Sequence, residues 1–70
     1  MIDLNDEQKK FIKENSPTAW NAFVNDDYRI LEEELYMFMV ENGFDKNDDI
    51  TDYGRKLEKM CDDVQRQNCV

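Results

Sequence analysis

Carboxylates are the most numerous side chains in this sequence that could do chemistry. The segment "DDYRILEEE", residues 26–34, places several of them at helical spacing, and paired carboxylates can act as general acid and base or hold a divalent metal. Such work needs a concave, partly dry site that separates the pKa values of two acids, and a chain of 70 residues has little room for one. Because the sequence also lacks histidine, a Gly-rich phosphate loop and a nucleophile beside a base, we expect no enzyme activity and no cofactor.

A calcium site is the next chemistry that the acids suggest. Asp45, Asn47 and Asp49 occupy positions one, three and five of a possible twelve-residue calcium loop. The pattern then fails, because Ile50 replaces the sharp-turn glycine and Lys56 replaces the bidentate glutamate. We therefore expect no metal here and interpret these acids as solvated or helix-capping residues.

The two cysteines, Cys61 and Cys69, could in principle form a disulfide or bind a metal. On one helix they would be about 12 Å apart, which is too far for a disulfide. There is no CxxC pair and no histidine to complete a metal or redox site. Two free thiols, a first segment unlike a signal peptide and no apolar run of about 18 residues predict a cytoplasmic protein that does not contact a membrane.

The net charge of −8 arises entirely in the middle of the chain. Residues 26–52 contain ten acids and two bases, whereas the remaining residues carry seven of each. Such a segment would repel phosphate and anionic lipid and would attract a basic protein surface. The sequence therefore predicts a basic protein partner and disfavours direct nucleic-acid binding.

One short segment points weakly toward nucleic acid. In "ITDYGRKLEKM", Thr51, Gly54 and Leu57 resemble the T-x-x-G-x-x-L opening of the last helix in many winged-helix proteins. No basic recognition helix precedes the segment, so we do not carry over a DNA-binding role. We interpret its charges as a solvated face in which bases pair with neighbouring acids, namely Arg55, Lys56 and Lys59 with Glu58, Asp62 and Asp63.

Apolar spacing and capping residues predict an all-α fold. We expect a single domain, residues 1–70, that forms a small bundle of three or four helices. Asn5 is suited to cap the first helix, Ser16 with Pro17 to start the second, and Thr51 or Asp49 to cap the last. The expected helices lie at about 5–14, 17–25, 27–42 and 51–67.

Two details of this bundle concern the junctions around the third helix. "VNDDY", residues 24–28, favours a break. The alternative is one continuous helix over residues 17–42, which would be about 39 Å long. Gly43 predicts a left-handed cap at the end of the third helix, and Gly54 is expected to cost the last helix about 1 kcal/mol relative to alanine.

On a helical wheel the third helix has two apolar strips. Tyr28, Leu31, Leu35, Phe38 and Met39 form a core face. A second strip contains Ile30, Met37 and Val40 with Tyr36 beside it, bordered by Glu33, Glu34 and Glu41. Either neighbouring helices pack on both sides of a central helix, or the second strip is an exposed docking surface.

These features predict a small acidic protein-binding module. We expect an inhibitor that occupies a basic, nucleic-acid-binding surface of a target protein, as DNA-mimic, phage anti-host or anti-defence and toxin-immunity proteins do. The alternative is a structural homodimeric helical adaptor with no inhibitory role, in which Ile30, Met37 and Val40 pair across a two-fold axis. The predicted partner-binding residues are Asp26, Asp27, Glu32, Glu33, Glu34, Tyr36, Met37, Val40, Glu41, Asp45, Asp48 and Asp49.

Overall fold

The fold is all-α, as predicted. A computed structural model describes residues 1–68. Within that range the chain forms four helices: α1 Asp6–Asn15, α2 Pro17–Val24, α3 Tyr28–Asn42 and α4 Asp52–Gln67. Their ends differ from the predicted ends by at most one residue, because capping residues fix helix termini locally.

Each helix begins at a polar cap. Each cap side chain accepts the backbone N–H of the residue three positions further on. The donor–acceptor distances are 2.8 Å at Asn5, 3.4 Å at Ser16, 3.2 Å at Asp27 and 3.0 Å at Thr51. At α1 the Asn5 N–H also donates to Gln8 Oε1 at 3.0 Å, which completes a capping box. These caps satisfy N–H groups that would otherwise lack a partner at the start of each helix.

The break between α2 and α3 is real, so the continuous helix over residues 17–42 does not form. Asp26 has a φ of 59°, a left-handed conformation that ends helical progression. Its carboxylate accepts the N–H of Ile2 at 2.9 Å and lies 3.8 Å from the N-terminal ammonium of Met1. The bend therefore also anchors the start of the chain.

α3 lies between α2 and α4, and α1 packs on α2. Leu31 and Leu35 of α3 are buried, as the wheel predicted. Phe11 of α1 meets Phe38 of α3 edge-on, with ring centroids 5.7 Å apart. The buried apolar residues are Ile2, Leu4, Ile12, Ala19, Ala22, Leu31, Leu35, Leu57 and Val64.

The first residues of the chain hold the C-terminal end of α4 in place. Asp3 donates its N–H to Asn68 Oδ1 at 2.7 Å and accepts from Asn68 Nδ2 at 3.0 Å. The side-chain amides of Gln8 and Gln67 bond to each other at 2.9 and 3.0 Å. Ile2 is buried against the core, so this short non-helical segment joins α4 to the rest of the bundle.

The N-terminal end of α4 contacts the C-terminal end of α3 through two glycines. Gly43 has a φ of −95°, so the prediction of a left-handed cap is wrong. Glycine is required there by close packing: a Cβ on Gly43 would lie 2.9 Å from Gly54 Cα, and a Cβ on Gly54 would lie 2.8 Å from the Gly43 carbonyl carbon. Thr51 adds two hydrogen bonds to the Gly43 carbonyl, from its N–H at 2.9 Å and its hydroxyl at 3.1 Å.

We predict that Gly54→Ala destabilises the protein, by about 1 to 3 kcal/mol, because the added methyl group overlaps the Gly43 carbonyl. Helix propensity alone predicts the opposite, a gain of about 1 kcal/mol. The urea midpoint at unchanged m-value measures the change. Arg55→Ala, at the next and exposed position of α4, is the matched control and should stay within about 0.5 kcal/mol of the parent. A higher midpoint for Gly54→Ala would refute the close contact.

Candidate functional site

The predicted partner-binding residues extend along α3 and beyond both of its ends. The α3 helix has 15 residues and is about 22 Å long, so the turn before it and the loop after it lie at opposite ends. The turn contributes Asp26 and Asp27, and the loop contributes Asp45, Asp48 and Asp49. The remaining residues are on α3 itself: Glu32, Glu33, Glu34, Tyr36, Met37, Val40 and Glu41.

The acids at the two ends of α3 serve the fold at least in part. Asp26 anchors Ile2, and Asp27 caps α3. In the loop, Asp45 Oδ1 accepts the N–H groups of Asn47 at 2.8 Å and Asp49 at 3.1 Å. This is the local bonding typical of an aspartate in a turn, so substitutions of these acids would disturb structure as well as charge.

These acids do not converge as a group of metal ligands within the described residues. Across residues 1–68, no three His, Cys, Asp or Glu side chains come together in a way that could hold a metal ion. The loop that contains Asp45 and Asp49 is closed by an antiparallel bridge between Phe44 and Ile50, and Asp48 has a left-handed φ of 63°. Turn geometry therefore accounts for the acidic spacing that suggested calcium.

The second apolar strip of α3 is covered at one end and open at the other. Ile30 is half-buried and packs against the core. Tyr36, Met37 and Val40 are 60, 46 and 47% exposed. α3 is therefore central in the bundle, and the second half of its outer strip faces solvent. That this half is a docking surface stays a prediction.

The glutamates of α3 carry charge that the fold does not neutralise. Within the described residues, the salt bridges join Met1 to Asp26 and join both Lys59 and Arg66 to Asp63, the latter two at 3.0 and 2.8 Å. None of these salt bridges involves Glu32, Glu33, Glu34 or Glu41. Of the three acids predicted to pair with bases within α4, Asp63 does so, whereas Glu58 and Asp62 do not in the part of the chain that the structure describes.

The lysines of α1 contact aromatic rings. Lys9 Nζ lies 5.8 Å from the ring centroid of Phe23, and Lys13 Nζ lies 5.6 Å from that of Trp20. These are cation–π contacts between α1 and α2. Two of the three lysines of α1 thus lie against α2, and within the described residues neither forms a salt bridge with the acids of α3.

A groove of about 630 Å³ runs between α3 and α4. Its apolar lining includes Leu35, Met39 and Val64, with Tyr36 at one side. Arg29 is its single basic lining residue, against four carboxylates. Those carboxylates are Glu32 and Glu33 from α3 and Glu58 and Asp62 from α4.

The thiol of Cys61, a free cysteine, reports the electrostatics of this groove. Burial and, to a lesser extent, the charges of Asp62, Glu32 and Glu58 together raise its pKa to about 11. Carboxylates from both helices therefore act on one side chain between them. Cys61 is protonated at neutral pH and is not poised as a nucleophile, while Cys69 lies outside the described residues.

Two smaller hollows differ from this groove in charge or composition. The hollow between α1 and α4, about 490 Å³, has Glu7 and Asp63 balanced by Lys56 and Lys59. The other, about 290 Å³, lies where the α1–α2 junction faces α3. Its lining includes three predicted binding residues, Glu34, Met37 and Glu41. The predicted α3 residues thus reach both edges of the exposed outer face of this helix, one beside α4 and one beside the α1–α2 junction.

Sequence reasoning missed the contribution of α4. Glu58, Cys61, Asp62 and Gln65 all line the main groove, and their i, i+3, i+4, i+7 spacing places them on one face of a helix. That spacing was a usable signal. It was overlooked because the charges outside residues 26–52 sum to zero. A sum does not show that acids and bases lie on different faces of a helix.

No family model, curated protein or solved structure matches this chain. Across residues 1–68, none of the helices has both the length and the apolar character needed to cross a membrane. The groove and the uncompensated charge of α3 are therefore the observations from which a function can be inferred.

We predict that alkylation of Cys61 by iodoacetamide, measured in a Cys69→Ser variant, rises with pH to a midpoint near 11 instead of the ordinary 9.0. At pH 8 the thiolate fraction should be about 100-fold below that of an unperturbed thiol. The same variant unfolded in urea is the control and should titrate near the ordinary value. A folded-state midpoint at or below that value would contradict the groove geometry.

Proposed function

We propose that this protein is a small, non-catalytic binding module that occupies a basic surface of a target protein and thereby inhibits it. The observation that carries the proposal is the outer side of α3. There Tyr36, Met37 and Val40 are exposed, and the surrounding glutamates have no salt bridge within the described residues. These glutamates are Glu32, Glu33, Glu34 and Glu41.

An apolar centre with a charged border suits a partner of complementary design. Buried apolar area stabilises the complex, while opposite charge raises the association rate and selects the partner. Nucleic-acid-binding proteins cluster Lys and Arg on one face, so a cytoplasmic protein of that class is the target we favour. Inhibition in the manner of a DNA mimic, a phage anti-host or anti-defence protein or a toxin-immunity protein is inferred from small size and acidity.

The homodimeric adaptor is less well supported. Ile30, one of its three proposed contacts, packs against the core, which leaves Met37 and Val40. A two-fold axis through this face would place the glutamates of one copy against those of the other, because a symmetric interface uses the same patch twice. Like charges at an interface are unfavourable, so the charge argues for a different, basic partner.

We predict that association with a basic target recovered by affinity capture depends steeply on salt. The association rate should fall on the order of tenfold between 50 and 300 mM NaCl, because ions screen the attraction. The triple variant Glu33→Gln, Glu34→Gln, Glu41→Gln should lose rate by a similar factor. Stopped-flow or surface-binding kinetics with the purified target measure both effects.

The control for this experiment is Asp3→Asn, Glu7→Gln, Glu14→Gln, which removes the same number of charges from exposed positions near the N-terminus. It should change the rate by less than about threefold. Salt-insensitive association, or equal losses in the two triple variants, would refute the proposal. Light scattering at micromolar concentration tests the alternative, since the 8.4 kDa chain would double in mass as a dimer.

A further inference from the structure

The groove between α3 and α4 has the dimensions of a binding site for part of a protein. Its volume of about 630 Å³ lies within the range of roughly 300 to 1,000 Å³ that is usual for ligand sites. From Tyr28 to Met39 its α3 wall covers about 17 Å, or three helical turns. Its floor includes the buried side chains of Leu35 and Val64, so an occupant would meet a preformed apolar surface.

Charge on the groove selects the occupant. Exposed carboxylates from the two helices line the groove, Glu32 on α3 and Glu58 and Asp62 on α4, and all three act on the thiol of Cys61. None of the three has a salt bridge within the part of the chain described. These charges would repel an anionic ligand or a second copy that presents its own acidic α3. A cationic side chain could instead form salt bridges with these acids.

The form of the occupant follows from the groove walls. A cleft between two helices with an apolar floor accommodates an amphipathic helix, whose apolar residues recur at i, i+3 or i+4 and i+7. Lysine and arginine suit such a site because their aliphatic stems pack on apolar surface while the charged head stays among polar groups. The mixed charge of the α1–α4 hollow gives it no such preference.

We infer that the α3–α4 groove binds an amphipathic helix of the partner whose apolar face lies on Leu35, Met39 and Val64 and whose lysines or arginines pair with Glu32, Glu58 and Asp62. This inference rests on the proposed function and adds to it. It adds a contact on the α4 side of α3, next to the exposed outer face, and includes two α4 carboxylates outside the acidic middle of the chain.

A synthetic peptide tests the inference without knowledge of the natural partner. The probe is a fluorescein-labelled, amidated 14-residue helix with leucines on one face and lysines beside them. A scrambled peptide of the same composition is its control. Binding is followed by fluorescence anisotropy, and groove occupancy by the rate of Cys61 alkylation at pH 8 in the Cys69→Ser background. We expect the amphipathic peptide to slow alkylation at least tenfold and the scrambled peptide to slow it less than twofold.

Two double variants of equal charge change locate the contact. Glu32→Gln with Glu58→Gln removes charge from the groove, and Glu34→Gln with Glu41→Gln removes it from the opposite side of α3. We expect the groove pair to weaken peptide binding about tenfold and the other pair less than about threefold. Alkylation is compared with and without peptide for each variant, because the groove substitutions also change the thiol pKa, and thermal melts confirm that both variants fold.

Three results would overturn the inference. They are peptide binding without protection of Cys61, equal protection by the scrambled peptide, or a larger loss for the Glu34 and Glu41 pair than for the groove pair. Each leaves the proposed function standing if association with the captured target still depends on salt and on the α3 glutamates. Salt-insensitive association with that target would instead refute the proposed function, whatever the peptide does.

Discussion

The close contact between Gly43 and Gly54 is the constraint on which the rest of this structure depends. It brings the end of α3 and the start of α4 together backbone to backbone, and Thr51 holds the junction by bonding the Gly43 carbonyl. The other end of α4 is secured through Asn68 to the first residues of the chain. With both ends fixed, the middle of α4 forms one wall of the groove, opposite the glutamates of α3.

The acids of the middle segment divide into two kinds. Some stabilise the fold as caps, turn residues or anchors, such as Asp27, Asp45 and Asp26. Others, such as Glu32 and Glu33, have no salt bridge in the described part of the chain and lie along an apolar groove. Concentrated like charge disfavours the folded state through self-repulsion. Glu32 and Glu33 are thus available for the encounter with a positively charged protein that we propose.

The sequence predicted what local interactions determine. Helix bounds, the caps at Asn5 and Ser16 and the break near Asp26 depend on residues within a few positions of each other. It did not predict the docking of Ile2 or the reason for Gly43, because both depend on contacts with distant parts of the chain. The site was predicted in part: the α3 acids followed from charge density, whereas the α4 wall required knowledge of which helix packs beside α3.

The central claim is that the unpaired carboxylates of α3 face a basic partner, and chemical-shift mapping tests it most directly. The labelled protein would be titrated with the basic target obtained by capture, and each backbone amide followed by NMR. We expect the largest shifts along residues 32–41 and 58–65, and we expect these shifts to diminish as salt is added. Shifts confined to the α1–α2 surface around Lys9, Lys13 and Trp20, with the α3 amides unchanged, would contradict it.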